Sequence, residues 1–99
     1  MTDGDQDPAD VPMELPIDGV LDLHHFSPKD IRTLVPDYLE ECAKRGIFEV
    51  RIIHGKGTGA LRSSVHALLC RSSLVRGFRM AETAAGGWGA TLVDLHRPP

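Results

Sequence analysis

Ninety-nine residues, 41% hydrophobic and 25% charged, with ten glycines and seven prolines, suffice for one small core. No apolar run approaches the roughly 18–20 residues of a membrane-spanning helix, and the N-terminal MTDGDQDPADVPMELP lacks the apolar stretch of a secretory signal. The net charge of −3 argues by itself against a polyanionic partner.

That charge is segregated. Residues 1–18 carry Asp3, Asp5, Asp7, Asp10, Glu14 and Asp18 with no Lys or Arg, a sum of −6. Residues 19–99 hold eight of the 14 acidic residues and all 11 Lys and Arg, a balance of +3. Pro8, Pro12 and Pro16 and few large apolar side chains make 1–18 an extended or disordered tail. Its expected role is solubility, the sharper alternative being a pseudo-substrate that folds over a basic site. Residues 19–96 form the expected domain, and 97–99 a C-terminal tail. Cys42 and Cys70 have no CxxC spacing and fall on or beside apolar helix stripes. Two buried thiols in a reducing cytoplasm are therefore expected.

In chain order, Val20-Leu21-Asp22-Leu23-His24 suits a strand, with Asp22 and His24 on one face and Leu21 and Leu23 on the other. Ser27-Pro28-Lys29-Asp30 reads as a helix start, with Ser27 as cap and Asp30 completing a shortened capping box. Ile31, Leu34, Val35, Tyr38, Leu39 and Cys42 then recur at helical spacing, and Gly46 closes the helix. Pro36, at roughly 3 kcal/mol for an interior proline, predicts a kink near residues 32–36 without loss of the element. Phe48, Val50 and Ile52 alternate with Glu49 and Arg51 as a second strand ending at His54. Gly55-Lys56-Gly57-Thr58-Gly59 is a loop, and Ala60 to Arg71 a second helix. Residues 76–81 and 90–95 give two further strands around the glycine loop Gly86-Gly87-Trp88-Gly89. The order βαβαββ requires a parallel first pair with a right-handed crossover. It predicts an α/β two-layer sandwich: a mixed four-stranded sheet with two helices on one face.

The first two strands end at His24 and His54, each followed by a loop and a helix. If parallel, they bring both histidines to the carboxyl edge of the sheet, where open α/β sheets bind ligands. Imidazole both accepts and donates protons near neutrality, so the pair is a candidate for acid–base chemistry, with Asp22 placed to orient His24. The bland alternative is that each histidine merely ends a strand and that Asp22 is a satisfied buried acid. The glycines at 55, 57 and 59 free the backbone to turn N–H groups inward at a helix N-terminus, with Lys56 and Arg62 adding charge, which makes an anion site. Neither GxxxxGK[ST] nor GxGxxG is present, so a backbone phosphate fits better than a nucleotide cofactor. Arg71, Arg76 and Arg79 read as a solvated basic group, and His66, one turn after Arg62, is expected at the surface. Trp88 either stacks on a base or covers the core edge.

Val20-Leu21-Asp22-Leu23-His24, Ile52-Ile53-His54-Gly55-Lys56-Gly57-Thr58-Gly59-Ala60-Leu61-Arg62 and Gly86-Gly87-Trp88-Gly89-Ala90-Thr91, in that order, resemble the three signature segments of the Smr (small MutS-related) domain, in its stand-alone short form. The resemblance covers about residues 19–95. It implies a sandwich similar to the C-terminal domain of bacterial translation initiation factor three. It also implies nucleic-acid binding and, as in several members, endonuclease activity. By position, Asp22 and His24 match the LDLH motif, His54, Gly55 and Gly57 the HGxG motif, and Gly87 and Gly89 the late glycine loop. Many members have Gly after the LDLH histidine, whereas here His25-Phe26 follow.

The resulting expectation is a nucleic-acid-binding domain that cleaves phosphodiester bonds, RNA favoured over DNA nicking. Gly55, Lys56, Gly57, Gly59 and Arg62 would hold phosphate, and His24 and His54 would supply acid and base. RNA brings its own 2′-hydroxyl nucleophile and needs no cofactor. DNA requires attacking water, for which a divalent metal is expected. The alternative is a non-catalytic nucleic-acid-binding module with the same phosphate grip. No membrane contact is expected.

Overall fold

The structure, a computed structural model, describes residues 16–24, 26–55, 59–81 and 89–98. The acidic segment up to residue 15, His25, Lys56, Gly57, Gly87 and Trp88 lie outside the described residues. Six elements follow one another: β1 (Val20–Asp22), α1 (Pro28–Lys44), β2 (Glu49–Ile53), α2 (Ala60–Arg71), β3 (Val75–Met80) and β4 (Ala90–Leu95). The sheet order is β1-β2-β4-β3. β1 runs parallel to β2, while β4 is antiparallel to both β2 and β3. This is the mixed four-stranded sheet with two helices that the element order demands. A shift between Val75 and Gly77 bulges the edge strand β3 at Arg76.

The core lies between the sheet and the helices. Leu21, Leu23, Val50, Ile52, Val93 and Leu95 come from the sheet, Ile31, Leu34, Val35, Tyr38, Leu39 and Cys42 from α1, and Val65 and Leu69 from α2. Each large aliphatic side chain buried here contributes ~1.5–3 kcal/mol. Alternation along β1 buries Leu21 and Leu23 and leaves Asp22 and His24 exposed.

Helix α1 passes through Pro36 unbroken for 17 residues. The proline removes the helical donor for the Arg32 carbonyl, and both residues lie on the exposed side, where water can pair that oxygen. The start of α1 differs from the capping box predicted. The Ser27 hydroxyl donates to the Asp30 carboxylate at 2.9 Å and caps no backbone group. Asp is one carbon shorter than the Glu of a true capping box, too short to reach back to the cap N–H. The end of α1 is a Schellman turn. Gly46 N–H bonds Ala43 O at 3.1 Å and Ile47 N–H bonds Cys42 O at 2.8 Å, with Gly46 at φ +78°.

Tyr38 ties α1 to the start of the edge strand. Its buried hydroxyl accepts the Gly19 N–H at 3.0 Å and donates to the Val20 carbonyl at 3.1 Å. Burial pushes the Tyr38 phenol above its ordinary range. Gly19 has φ +94°, and a Cβ there would lie 3.2 Å from both the Glu49 carbonyl and the Ile47 side chain.

The thiols do not share one environment. Cys42 is fully buried, and burial raises its pKa above the usual thiol value, whereas Cys70 is exposed. On α2 the inward positions are Val65 and Leu69, and Cys70 is rotated about 100° away from Leu69. Arg71, Arg76 and Arg79 are exposed as expected, with Arg79 3.6 Å from Asp94.

Candidate functional site

Because β1 and β2 are parallel, His24 and His54 emerge at the same edge of the sheet. With Gly55, Gly59 and Arg62 they line one cavity of ≈ 420 Å³, bounded by the strand ends and the N-termini of both helices.

His24 is built onto the end of β1 by Asp22. One carboxylate oxygen of Asp22 accepts both the His24 backbone N–H, at 3.0 Å, and its Nδ1–H, at 2.6 Å. The ring is 60% exposed and the carboxylate 52%, so Asp22 is not a buried acid. A carboxylate accepts only, so Nδ1 carries the proton and neutral His24 keeps its lone pair on Nε2. That nitrogen faces Gly55: a Cβ built on Gly55 would lie 4.0 Å from it.

His54 is 6% exposed, and its two ring nitrogens are both engaged within the protein. Nδ1 lies 3.0 Å from the Gly55 carbonyl and Nε2 lies 2.8 Å from Thr91 Oγ1. The carbonyl can only accept, so Nδ1 bears the hydrogen, and in the neutral ring Nε2 must accept from the Thr91 hydroxyl. The same hydroxyl is 2.8 Å from His66 Nε2, which must then donate to it. Hydrogen bonds therefore run in one direction: His66 to Thr91, Thr91 to His54 (the thioether of Met80, 3.7 Å away, is the weaker acceptor for that hydroxyl), His54 to Gly55. His66 is thus half-buried and bonded to the sheet, not free at the surface as expected. It packs at 4.8 Å on the Phe78 ring and 6.2 Å from the His54 ring. Burial pushes its pKa below the usual histidine value, and the neighbouring His54 and Arg62 lower it further. Neither His66 nor Thr91 stood out in the sequence. The one signal was an inward polar position among Thr91, Val93 and Leu95.

The glycine loop departs from expectation at its first member. Gly55, at φ +84°, donates its N–H to the Gly89 carbonyl at 2.9 Å, and His54 donates to the same oxygen at 2.8 Å. These bonds extend the pairing of Ile53 with Ala90 past the end of the ladder. The Gly55 N–H is therefore turned to the late glycine loop and away from the cavity. The helix end is better prepared for an anion. Gly59 caps α2 at φ +89° with no side-chain cap, and the first turn carries no acidic residue. The Arg62 guanidinium lies over Gly59, with one terminal nitrogen 2.8 Å from where a Cβ would be. A helix N-terminus beside a cation attracts negative charge.

The Smr domain family matches residues 21–96. The chain belongs to that family. Endonuclease MutS2 of Clostridium tetani is 47% identical over 58 residues, covering 59% of this chain and 7% of that protein. Endonuclease MutS2 of Clostridium kluyveri is 40% identical over 75 residues, covering 76% of this chain and 10% of that protein. The chain thus spans a tenth or less of these curated relatives. Among solved structures, the Smr domain of Thermus thermophilus MutS2 superposes with a TM-score of 0.75 at 35% identity, covering 80% of this chain and 99% of that one. YdaL of Escherichia coli, a stand-alone small MutS-related protein, gives a TM-score of 0.75 at 28% identity, covering 80% of this chain and 65% of that one. The described fold is therefore that of Smr domains.

Proposed function

We propose that this Smr domain binds nucleic acid and cleaves its phosphodiester backbone, acting on RNA in preference to DNA. The observation that carries the reading is the Asp22–His24 pair at 2.6 Å, exposed at the mouth of a cavity that Arg62 and the N-terminus of α2 also line. Asp22 fixes the tautomer and leaves Nε2 as a base. Arg62 and the helix end hold the phosphate. Its MutS2 relatives carry the name endonuclease.

On RNA, His24 Nε2 takes the proton of the 2′-hydroxyl, whose oxygen attacks the adjacent phosphorus. The bond to the 5′-oxygen breaks, that oxygen is protonated from solvent in the open cleft, and a cyclic phosphate remains. His54 supports the floor of the site through Gly55 and is not the proton donor in this arrangement, since both its nitrogens are taken. RNA is favoured because it supplies its own nucleophile.

Labelled single-stranded RNA and supercoiled plasmid, each with EDTA or Mn²⁺, test the reading on the full chain. RNA cleavage in EDTA to cyclic-phosphate ends, lowered by about 10²–10⁴-fold in His24→Ala, is expected. Binding without cleavage leaves a module that only grips phosphate. Plasmid nicking restricted to Mn²⁺ overturns the preference for RNA.

A further inference from the structure

The cavity is larger and more apolar than a phosphate needs. A phosphate calls for donors, and Arg62 with the end of α2 supplies them at one wall. The other walls include Leu23, Phe26, Pro28 and Leu61. Phe26 is held there by a turn in which its N–H bonds the Leu23 carbonyl at 3.1 Å, and its ring is partly buried against the core. His54, with both nitrogens occupied, adds ring surface to the lining and no free donor. The volume of ≈ 420 Å³ falls in the range of small-molecule sites, roughly 300–1,000 Å³. A cavity lined by apolar side chains together with the Arg62 cation and the His24 imidazole has the chemistry to take a nucleotide unit: heterocycle, sugar and phosphate.

We propose that the cavity receives an unstacked nucleobase of a single-stranded nucleic acid, held against Phe26, while its neighbouring phosphate lies on Arg62 and the N-terminus of α2. This rests on the phosphate-binding reading and adds to it the substrate's form. In a duplex each base is paired and stacked on its neighbours, so it enters such a slot only after being flipped out at a cost of a few kcal/mol. A single strand offers the base freely. Phe26 is then a specificity-determining residue, because a stacking ring takes any base and discriminates strand form more than sequence.

The test compares a 2′-O-methyl single strand, which resists internal attack, with its fully abasic counterpart and with a blunt duplex, on the full chain and on Phe26→Ala, Phe26→Leu and Phe26→Tyr. A stacked base is expected to make the native chain and Phe26→Tyr bind the normal strand about fivefold or more tighter than the abasic strand or the duplex. Phe26→Leu, which refills the core without a flat ring, loses that preference even if Phe26→Ala is too unstable to measure. Inorganic phosphate should still shift the amide signals of Gly59 to Arg62 in every folded variant. Equal affinity of the native chain for normal and abasic strands overturns the base slot and leaves the phosphate site standing. No salt-dependent binding to either strand, and no shift with phosphate, overturns both.

Discussion

His54 Nε2 and Thr91 Oγ1 lie 2.8 Å apart between two strands that pair antiparallel, and Thr91 is wholly buried. The neutral imidazole there has no second source of a hydrogen for Nε2. Thr91→Val keeps the shape of the side chain and removes that donor, leaving a buried nitrogen unpaired at ~1–3 kcal/mol. Urea denaturation should register a loss of that size, and Thr91→Ser should restore most of it. Long-range proton–nitrogen NMR of the native chain should find neutral His54 protonated at Nδ1 and neutral His66 at Nε2. The reverse pattern would contradict the direction of the hydrogen bonds.

His66 gives a pH dependence of definite sign. Its folded pKa is lowered from 6.5 by burial, then by His54 and Arg62. Between the folded and unfolded values the unfolded chain binds more protons, so this residue's neutral form favours folding above about 6.5 and disfavours it progressively below. The native chain should therefore lose stability faster than His66→Gln as pH falls from 7 toward 5. Parallel urea midpoints for the two proteins would rule the effect out.

The acid–base reading rests on Asp22 and His24. His24→Ala should lower RNA cleavage by about 10²–10⁴-fold, the usual contribution of a positioned acid or base. Asp22→Asn should lower it less, because an amide oxygen still accepts from Nδ1 but carries no charge. Both variants should keep their affinity for the strand in a gel-shift assay, since neither residue grips phosphate.

Gly55→Ala tests a different part of the same wall. The added methyl would sit 4.0 Å from His24 Nε2, an ordinary contact, so the harm comes from φ +84°. A strain of ~1–2 kcal/mol is expected in thermal or urea unfolding, with cleavage reduced as the Gly55 peptide turns away from His54 and Gly89.

Tyr38→Phe removes one buried hydroxyl that serves two backbone groups, Gly19 N–H and Val20 C=O. Leaving them unpaired should cost about 1–3 kcal/mol. Hydrogen exchange should accelerate at Gly19 and along β1 before it changes in β2 or β4.

The apolar alternation of Leu21 and Leu23, the stripe from Ile31 to Cys42 and the glycine at 46 were enough to read the elements, because each is a local pattern of period two or 3.6. The edge shared by His24 and His54 was legible for the same reason: both end strands of one βαβ unit. The Gly55 N–H was not, because its acceptor, Gly89 O, lies just before β4, which reaches β2 only through the non-consecutive pairing β2–β4. His66 was misplaced because its partner Thr91 lies 25 residues away, and nothing within one helical turn hints at a buried hydroxyl. Cys70 shows how little separates the faces of α2: one position beyond Leu69 is already outside.

The three-residue strand β1 carries Asp22 at its end, two residues before His24, and it is an edge of the sheet whose only strand partner is β2. The proposed phosphate grip, Arg62 and the start of the helix, sits elsewhere, on α2. The proposed proton transfer and anion capture would thus be mounted on parts of unequal firmness. On warming, the edge strand should open while the helices and the other three strands still hold, so turnover should fade at a lower temperature than the cooperative melt, leaving a folded protein that still binds but no longer cuts.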